Sequence, residues 1–479
     1  MKGKVATPTR RTVAGGLAGL LLATSAPARS QGMSMDRLSD LARRAAIYLF
    51  PLHEMYQTRW NATVNPDNPR RGRLNRFGHV PVLANAQARA ITTPNNDTLY
   101  SSAWLDLSGE PLFLTVPAMD ERYYSFAFMD LFTNNFTYVC RRLHGGKPAT
   151  RMIVGPRWSG ATPADVELVR APTNSVWLLG RILVDGPGDL PAGPALQAKT
   201  LLETPDMRNE RRIVESRELM RQRTTVPDEP VAAWPATNPS DSWTLLDVGA
   251  AALGESPTPE RDAALLDEFR ALGLRAGRRF DPLAFSVAER DAILAGIAVA
   301  RAEIADAGRR RGRHRDGWSY ADKHLGNFGD DHLYRAHVAL AGLAALEPVE
   351  ATYMTADVDA EAAPLDGANR YVLRFEPGAL PPARAFWSLS MYERTPEGRA
   401  FFVDNRLGRF AIGDRTRGLR RGPDGSLEIA IQRESPGADH EPNWLPAPSG
   451  RMRLTLRVYE PDKAILDGAY LVPPVRRVG

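Results

Sequence analysis

Along this 479-residue chain the spacing of apolar positions switches from helical to strand-like, back to helical, and to strand-like again. In "MDRLSDLARRAAIYLFPLHEMYQ" (Met35 to Gln57), Leu38, Leu41, Ala45, Leu49 and Leu52 recur at threes and fours, which predicts a helix with one buried face. From Leu99 to Asp185 the period is two. The runs "LYSSAWLDL", "PLFLTVP", "RYYSFAFMD", "FTYVCRRL" and "SVWLLGRILVD" are short, rich in aromatic and β-branched residues, and bounded by Gly, Pro, Asp or Asn. Such runs predict the strands of a mostly antiparallel β domain. "GPGDLPAGPA" (Gly186 to Ala195) breaks the pattern, and residues 196–345 return to helical spacing. There Ser286 and Glu289 make a capping-box signature, Pro259 suits a first helical position, and His332 to Leu346 predicts a further, buried helix. From about Tyr371 the two-residue period resumes in "RYVLRFE", "RAFWSLSMYE", "SLEIAIQ" and "RMRLTLRVYE". In the last, Met452, Leu454, Leu456 and Val458 face a core, while Arg451, Arg453, Thr455 and Arg457 face water or a groove.

The expected fold class is therefore mainly β with helical segments. Two β-sandwich or jelly-roll-like domains, 36–190 with its leading helix and 350–478, are joined by a helical region at 196–345. No repeat between the two β halves aligns in sequence.

The N-terminus changes the charge picture. Lys2, Lys4, Arg10 and Arg11 precede "VAGGLAGLLLA" and "APA", the pattern of a cleavable signal peptide of twin-arginine type covering residues 1–28. The expected location of the mature chain is periplasmic or secreted. The apolar stretch is shorter than the ~20 residues of a membrane span. Removing residues 1–28 takes four positive and no negative charges, so the formal net charge falls from +5 to +1. No overall basic excess then points to nucleic acid. "GRRRGRHR" (Gly308 to Arg315) reads as a solvated helix end. The single cysteine, Cys140, excludes an intrachain disulfide and reads as a buried thiol.

No G-x-S-x-G, S-x-x-K, H-E-x-x-H, P-loop or strand-linked G-x-G-x-x-G occurs, and no cofactor or metal site is expected. His332 and His337, five apart on a helix, cannot share one metal on one face. What remains are polar clusters at strand ends. In "TPNNDTLYSSAWLDL", Asn95, Asn96 and Asp97 form a turn that leads into a strand carrying Tyr100 and Trp104. In "ERYYSFAFMDLFTNNF", Arg122, Tyr124 and Asp130 flank an aromatic run, and His79 lies upstream. His79, Asp97, Tyr124 and Asp130 are candidate acid–base groups. Asn95, Tyr100, Trp104, Arg122, Trp387, Tyr392 and Trp444 are candidate ligand contacts, the last three from the C-terminal half.

These stretches resemble the paired domains of unknown function DUF1254 and DUF1214. "TPNNDTLYSSAWLDL", "VPAMDERYYSFAFMDLFTNNF" and "WLLGRILVDGPGD" are similar to the first. "PLDGANRYVLRF", "PPARAFWSLSMYE" and "NWLPAPSGRMRLTLRVYEPDKAILDGAYLVPPV" are similar to the second. The resemblance spans roughly residues 36–478 and implies β-sandwich domains flanking helices in exported or envelope-associated proteins. It carries over no catalytic residues. Two functional readings stay open. One is an enzyme, hydrolase or lyase, acting on a small polar or saccharide-like ligand. The other is a non-catalytic periplasmic binding or assembly protein. Neither expects nucleic acid or a membrane span, and a homo-oligomer is left open.

Overall fold

A computed structural model describes residues 33–89, 92–213, 242–396 and 398–478. The signal expected at residues 1–28 lies outside them.

The N-terminal strands are β1 (Gly78–Val80), β2 (Thr98–Asp106), β3 (Leu112–Val116), β4 (Tyr124–Asp130), β5 (Asn135–Cys140), β6 (Ala149–Val154), β7 (Glu167–Arg170), β8 (Ser175–Leu183) and β9 (Leu201–Glu203). They form two sheets, ordered β1-β2-β8-β4-β5 and β7-β6-β3-β9. The sheets pack face to face through Leu105, Phe126, Phe128, Val176, Leu178 and Ile182 on one side and Leu112, Leu114, Val116 and Ile153 on the other. β9 belongs to this sandwich, which therefore runs past residue 190 to Glu203.

The C-terminal strands are β10 (Arg313–Arg315), β11 (Trp318–Tyr320), β12 (Ala351–Ala356), β13 (Arg370–Phe375), β14 (Ala383–Arg394), β15 (Ala400–Phe401), β16 (Ala411–Gly413), β17 (Leu427–Gln432), β18 (Trp444–Pro446), β19 (Met452–Pro461) and β20 (Arg476–Val478). One sheet runs β10-β11-β12-β19-β14-β15, with β16 also on β14; the other runs β18-β17-β13-β20. Met452, Leu454, Leu456 and Val458 lie in the core between them, on the face their alternation predicts.

The two sandwiches trace one path. β2, β8 and β4 correspond to β12, β19 and β14, and the order β7-β6-β3-β9 corresponds to β18-β17-β13-β20. The pairing senses agree as well. β6–β7 and β17–β18 are parallel, while the other corresponding pairs are antiparallel. The halves that show no alignable repeat in sequence are thus built on the same topology.

The basic run "GRRRGRHR" divides between two elements. A helix ends at Arg311, and β10 then pairs with β11 across Asp316–Gly317. Both turn residues have positive φ, +50° and +82°, the requirement of the two-residue hairpin turn that Asp-Gly favours. Residues 196–345 therefore add strands to both sandwiches as well as helices.

Four longer helices are α1 (Met35–Thr63), α2 (Ser242–Leu253), α3 (Val287–Arg311) and α4 (His332–Gly342). Ser34, Ser286 and Asp331 cap α1, α3 and α4, and Ser286 with Glu289 completes the expected capping box. α1 is the hub, its apolar face buried against the other three. Gly296 lets α3 approach it closely, since a Cβ there would lie 2.1 Å from the Ser39 carbonyl oxygen. This helical layer covers one end of the β2-β8-β4 sheet, where Trp104 and Trp177 stack at 5.0 Å. The other end of that sheet face is left for the C-terminal sandwich. Among the described residues no helix is long and apolar enough to cross a membrane.

Candidate functional site

The two sandwiches meet through the outer faces of corresponding sheets. Tyr123, Ala127 and Leu183 of the first pack against Ala351, Phe386 and Tyr459 of the second. Phe386 stacks on Tyr459 at 4.2 Å, and Tyr123 meets both rings edge-on. Polar residues lie one register step further along. On β2, β8 and β4, Tyr100 pairs with Arg181 and Arg181 with Ser125. On β12, β19 and β14, Tyr353 pairs with Arg457 and Arg457 with Ser388. Each sheet thus offers a transverse Tyr–Arg–Ser row to the seam.

Both arginines are more than nine-tenths buried. The Arg457 guanidinium donates to Ser390 Oγ at 2.9 Å, to the Tyr392 hydroxyl at 2.8 Å and to the Thr93 carbonyl at 2.9 Å. Thr93 holds that carbonyl from φ +51°, a strained value for a β-branched residue. Arg181 donates one bond, to the Ala344 carbonyl at 3.1 Å, and its second terminal nitrogen has no acceptor. Its guanidinium lies 5.4 Å from the centre of the Tyr100 ring. Among the described residues neither arginine has a carboxylate within 4.0 Å. Ser125 Oγ and Ser388 Oγ, one in each row, are also buried without hydrogen-bond partners among the described residues. Phenols lie beside the two charges: Tyr100 beside Arg181, and Tyr392, whose ring centre is 5.8 Å from the guanidinium, with the paired Tyr353 beside Arg457. Burial pushes the Tyr353 and Tyr459 hydroxyls up, so they are neutral donors and acceptors.

Several ion pairs cross the seam, Arg141–Glu460 at 2.9 Å among them, and two of them are reciprocal. Arg142 of the first sandwich donates to Glu350 of the second at 2.9 Å, and Arg415 of the second donates to Asp97 of the first at 2.6 Å. Asp97 and Glu350 each stand three residues before a row tyrosine. Cys140 pairs with Ser125 and Gly413 with Ser388, and each arginine follows two residues later. Glu350 also accepts from the Tyr123 hydroxyl at 2.9 Å, while Asp97 keeps one buried oxygen without a partner.

Of the residues singled out in sequence, Asn95, Asp97, Tyr100 and Tyr392 come together at this seam. Asn95 does two things. Its oxygen accepts from the Asp97 amide at 2.7 Å, making the turn, and its amide donates to the Tyr459 hydroxyl at 2.8 Å. Asn96 donates to the Ala84 carbonyl. Tyr392 donates to the Pro94 carbonyl at 2.7 Å.

The other candidates are not brought to Asp97. His79 is 2.8 Å from Ser101 Oγ and stacks on Phe77, on the opposite face of the sheet from Tyr100. Tyr124 lies in the N-terminal sandwich core with its hydroxyl on the Gly145 carbonyl at 3.0 Å, and burial pushes it up to about 12. Asp130 accepts from the Asn134 amide at 2.8 Å, its pKa raised by burial. Arg122 is paired with Asp189. Trp104 packs against the helices, Trp387 in the C-terminal sandwich core, and Trp444 is buried with its indole on the Gln432 carbonyl at 2.8 Å. Alternation puts His79, Tyr124 and Trp387 on the faces turned away from the seam, whereas Trp104 shares the face of Tyr100 and lies four residues along it, under the helices. Sequence reasoning passed over Arg181, Tyr353, Tyr459, Glu350 and Arg415. Among the described residues, no group of three or more His, Cys, Asp or Glu is placed to hold a metal.

Residues 74–204 match the family described as a protein of unknown function, DUF1254, and residues 350–463 match DUF1214, described likewise. No curated protein matches. Among solved structures, the VPA0106 protein from Vibrio parahaemolyticus is similar over 92% of this chain and 100% of its own, at 26% identity and a TM-score of 0.69. An uncharacterised protein from Burkholderia cenocepacia is similar over 92% of this chain and 95% of its own, at 13% identity and a TM-score of 0.44. The two matched segments coincide with the two sandwiches that build the seam, and the chain belongs to the two-domain family that joins DUF1254 to DUF1214.

Proposed function

We propose that the seam between the sandwiches binds a small anionic ligand, and that an acidic saccharide is the class it suits. The observation that carries this reading is the pair of buried guanidinium groups, Arg181 and Arg457, with no carboxylate in contact among the described residues. An uncompensated buried charge costs several kcal/mol, roughly 3–5 when its partner is removed. A carboxylate arriving with the ligand would supply charge-assisted, forked hydrogen bonds to such groups. The phenols of Tyr100 and Tyr353, both half-buried, add flat apolar faces and hydroxyls suited to a sugar ring. The test is calorimetric titration with glucuronate and galacturonate against the neutral glucose and galactose. Binding of the acids alone, lost when Arg181→Met and Arg457→Met are combined in one chain, is the expected result. Equal binding of neutral sugars would sink it.

A second reading makes the same seam a lyase. Its support is Tyr100, whose hydroxyl has no hydrogen bond to another described residue and stands beside the Arg181 charge. A guanidinium that neutralises the ligand's carboxylate acidifies the adjacent C–H; the Tyr100 phenolate takes that proton, the C=C bond forms as the neighbouring glycosidic C–O bond breaks, and the phenol returns the proton to the departing oxygen. Release of a conjugated alkene from an acidic oligosaccharide, abolished in Tyr100→Phe with binding retained, would separate this reading from simple binding. Export across the inner membrane, supported by the basic start and apolar run of residues 1–28, accompanies both readings. N-terminal sequencing of protein recovered from the periplasm tests it.

A further inference from the structure

We infer that the ligand of the seam is ditopic: a small dicarboxylate, held with one carboxylate on the Arg181 row and the other on the Arg457 row. This deepens the anion-binding reading and rests on it.

The argument is the duplication of the half-site. Tyr100, Arg181 and Ser125 occupy the same places on β2, β8 and β4 that Tyr353, Arg457 and Ser388 occupy on β12, β19 and β14. Among the described residues, each half offers a buried guanidinium without a carboxylate partner and a buried serine hydroxyl without a hydrogen-bond partner. A carboxylate has two oxygens and about four acceptor sites, enough for a guanidinium fork and a hydroxyl together. A single anionic group satisfies one half and leaves the other guanidinium uncompensated. The halves are also close. Arg457 reaches across to the Thr93 carbonyl at 2.9 Å, Asn95 to the Tyr459 hydroxyl at 2.8 Å, and Tyr353 packs against the cluster that Tyr123 and Leu183 share with Tyr459. A molecule bound by one end therefore presents its other end to the second row, and the second contact forms without a further loss of translational freedom. The carboxylates already at the seam do not fill this role, because Glu350 and Asp97 are engaged by Arg142 and Arg415.

The experiment is calorimetric titration of the chain, in a buffer free of polyvalent anions, with acetate, succinate, glutarate, adipate, galacturonate, galactarate and inorganic phosphate. The expected result is that at least one dicarboxylate binds on the order of 30-fold or more tighter than its monocarboxylate counterpart. Arg181→Met and Arg457→Met should each reduce the dicarboxylate to the affinity of the monocarboxylate, with the monocarboxylate itself changed by no more than about threefold, since one row remains. Equal affinity of mono- and dicarboxylates, with both lost in the variants, overturns the ditopic ligand and leaves the anion-binding reading standing. Phosphate preferred over every dicarboxylate also overturns it, by placing both arginines on one centre. Absence of binding by any anion overturns both. The ratio is measured on the unaltered chain, so the decision does not depend on either variant folding.

Discussion

Arg142 and Glu350 form across the domain seam the ion pair that Arg415 and Asp97 form in the opposite direction. Glu350 is fully buried, with the Tyr123 hydroxyl as a second donor. Removing Arg142 strands that carboxylate away from water. Arg142→Ala should therefore destabilise the chain by about 3–5 kcal/mol, read from the denaturant midpoint. Arg415→Ala should act in the same direction through Asp97. A cost below that of an exposed pair, ~1 kcal/mol or less, would show that the seam is wet.

Arg181 gives the opposite expectation. Its charge is buried with one hydrogen bond to a neutral carbonyl. Arg181→Met keeps the length of the side chain and removes the charge. The ligand-free protein should gain on the order of 1–4 kcal/mol, seen as a higher melting temperature. A residue whose removal stabilises the fold while weakening dicarboxylate binding is held for function.

Gly180 limits what the strand beneath Arg181 tolerates. It pairs with Phe126 on β4, and a Cβ there would lie 2.4 Å from the ring. Gly180→Ala forces the Phe126 ring or the strand to shift, at about 1–3 kcal/mol. The shift would also displace the neighbouring Arg181, so anion affinity should fall together with the melting temperature.

Acid should weaken the N-terminal sandwich through His79. Burial holds its imidazole below the ordinary value of 6.5, so the folded state is the poorer proton acceptor. The stability it contributes is full above the unfolded value of 6.5 and is lost as pH falls through the window below it. His332 is lowered in the same direction, chiefly by burial. Urea midpoints at about pH 7.5 and about pH 5 should differ less in His79→Phe than in the parent chain. An unchanged difference would assign the acid sensitivity elsewhere.

The sheets were legible because their residues alternate. "RMRLTLRVYE" places Met452 to Val458 inward, and the structure keeps them there. The capping box at Ser286 was equally plain, being local chemistry. The site was half legible. Asn95, Asp97 and Tyr100 announce a polar turn, and they do reach the seam. Their partners could not be named, because Tyr100 meets Arg181, and Tyr353 meets Arg457, through pairings between strands distant in sequence. One signal was available. Arg181 is a single charge inside the apolar run "VWLLGRILV", and a buried charge in a central strand calls for an explanation. The duplication stayed hidden because its trace is short: an acid three residues before a tyrosine, in "DTLY" and again in "EATY". The hairpin at Asp316–Gly317 was readable from its dipeptide but was masked by the arginine run before it.

The reciprocal clasps have the form of a two-fold interface, in which each partner gives the other what it receives. Here the partners are consecutive segments of one polypeptide. The arrangement has the form of a homodimer joined in one chain, with the proposed anion site where the two Tyr–Arg–Ser rows face the seam. Fusion removes the requirement that both halves stay alike. Tyr123 stands where the other half has Phe386, and Leu183 where it has Tyr459, so the two ends of the proposed site are free to differ in what they prefer.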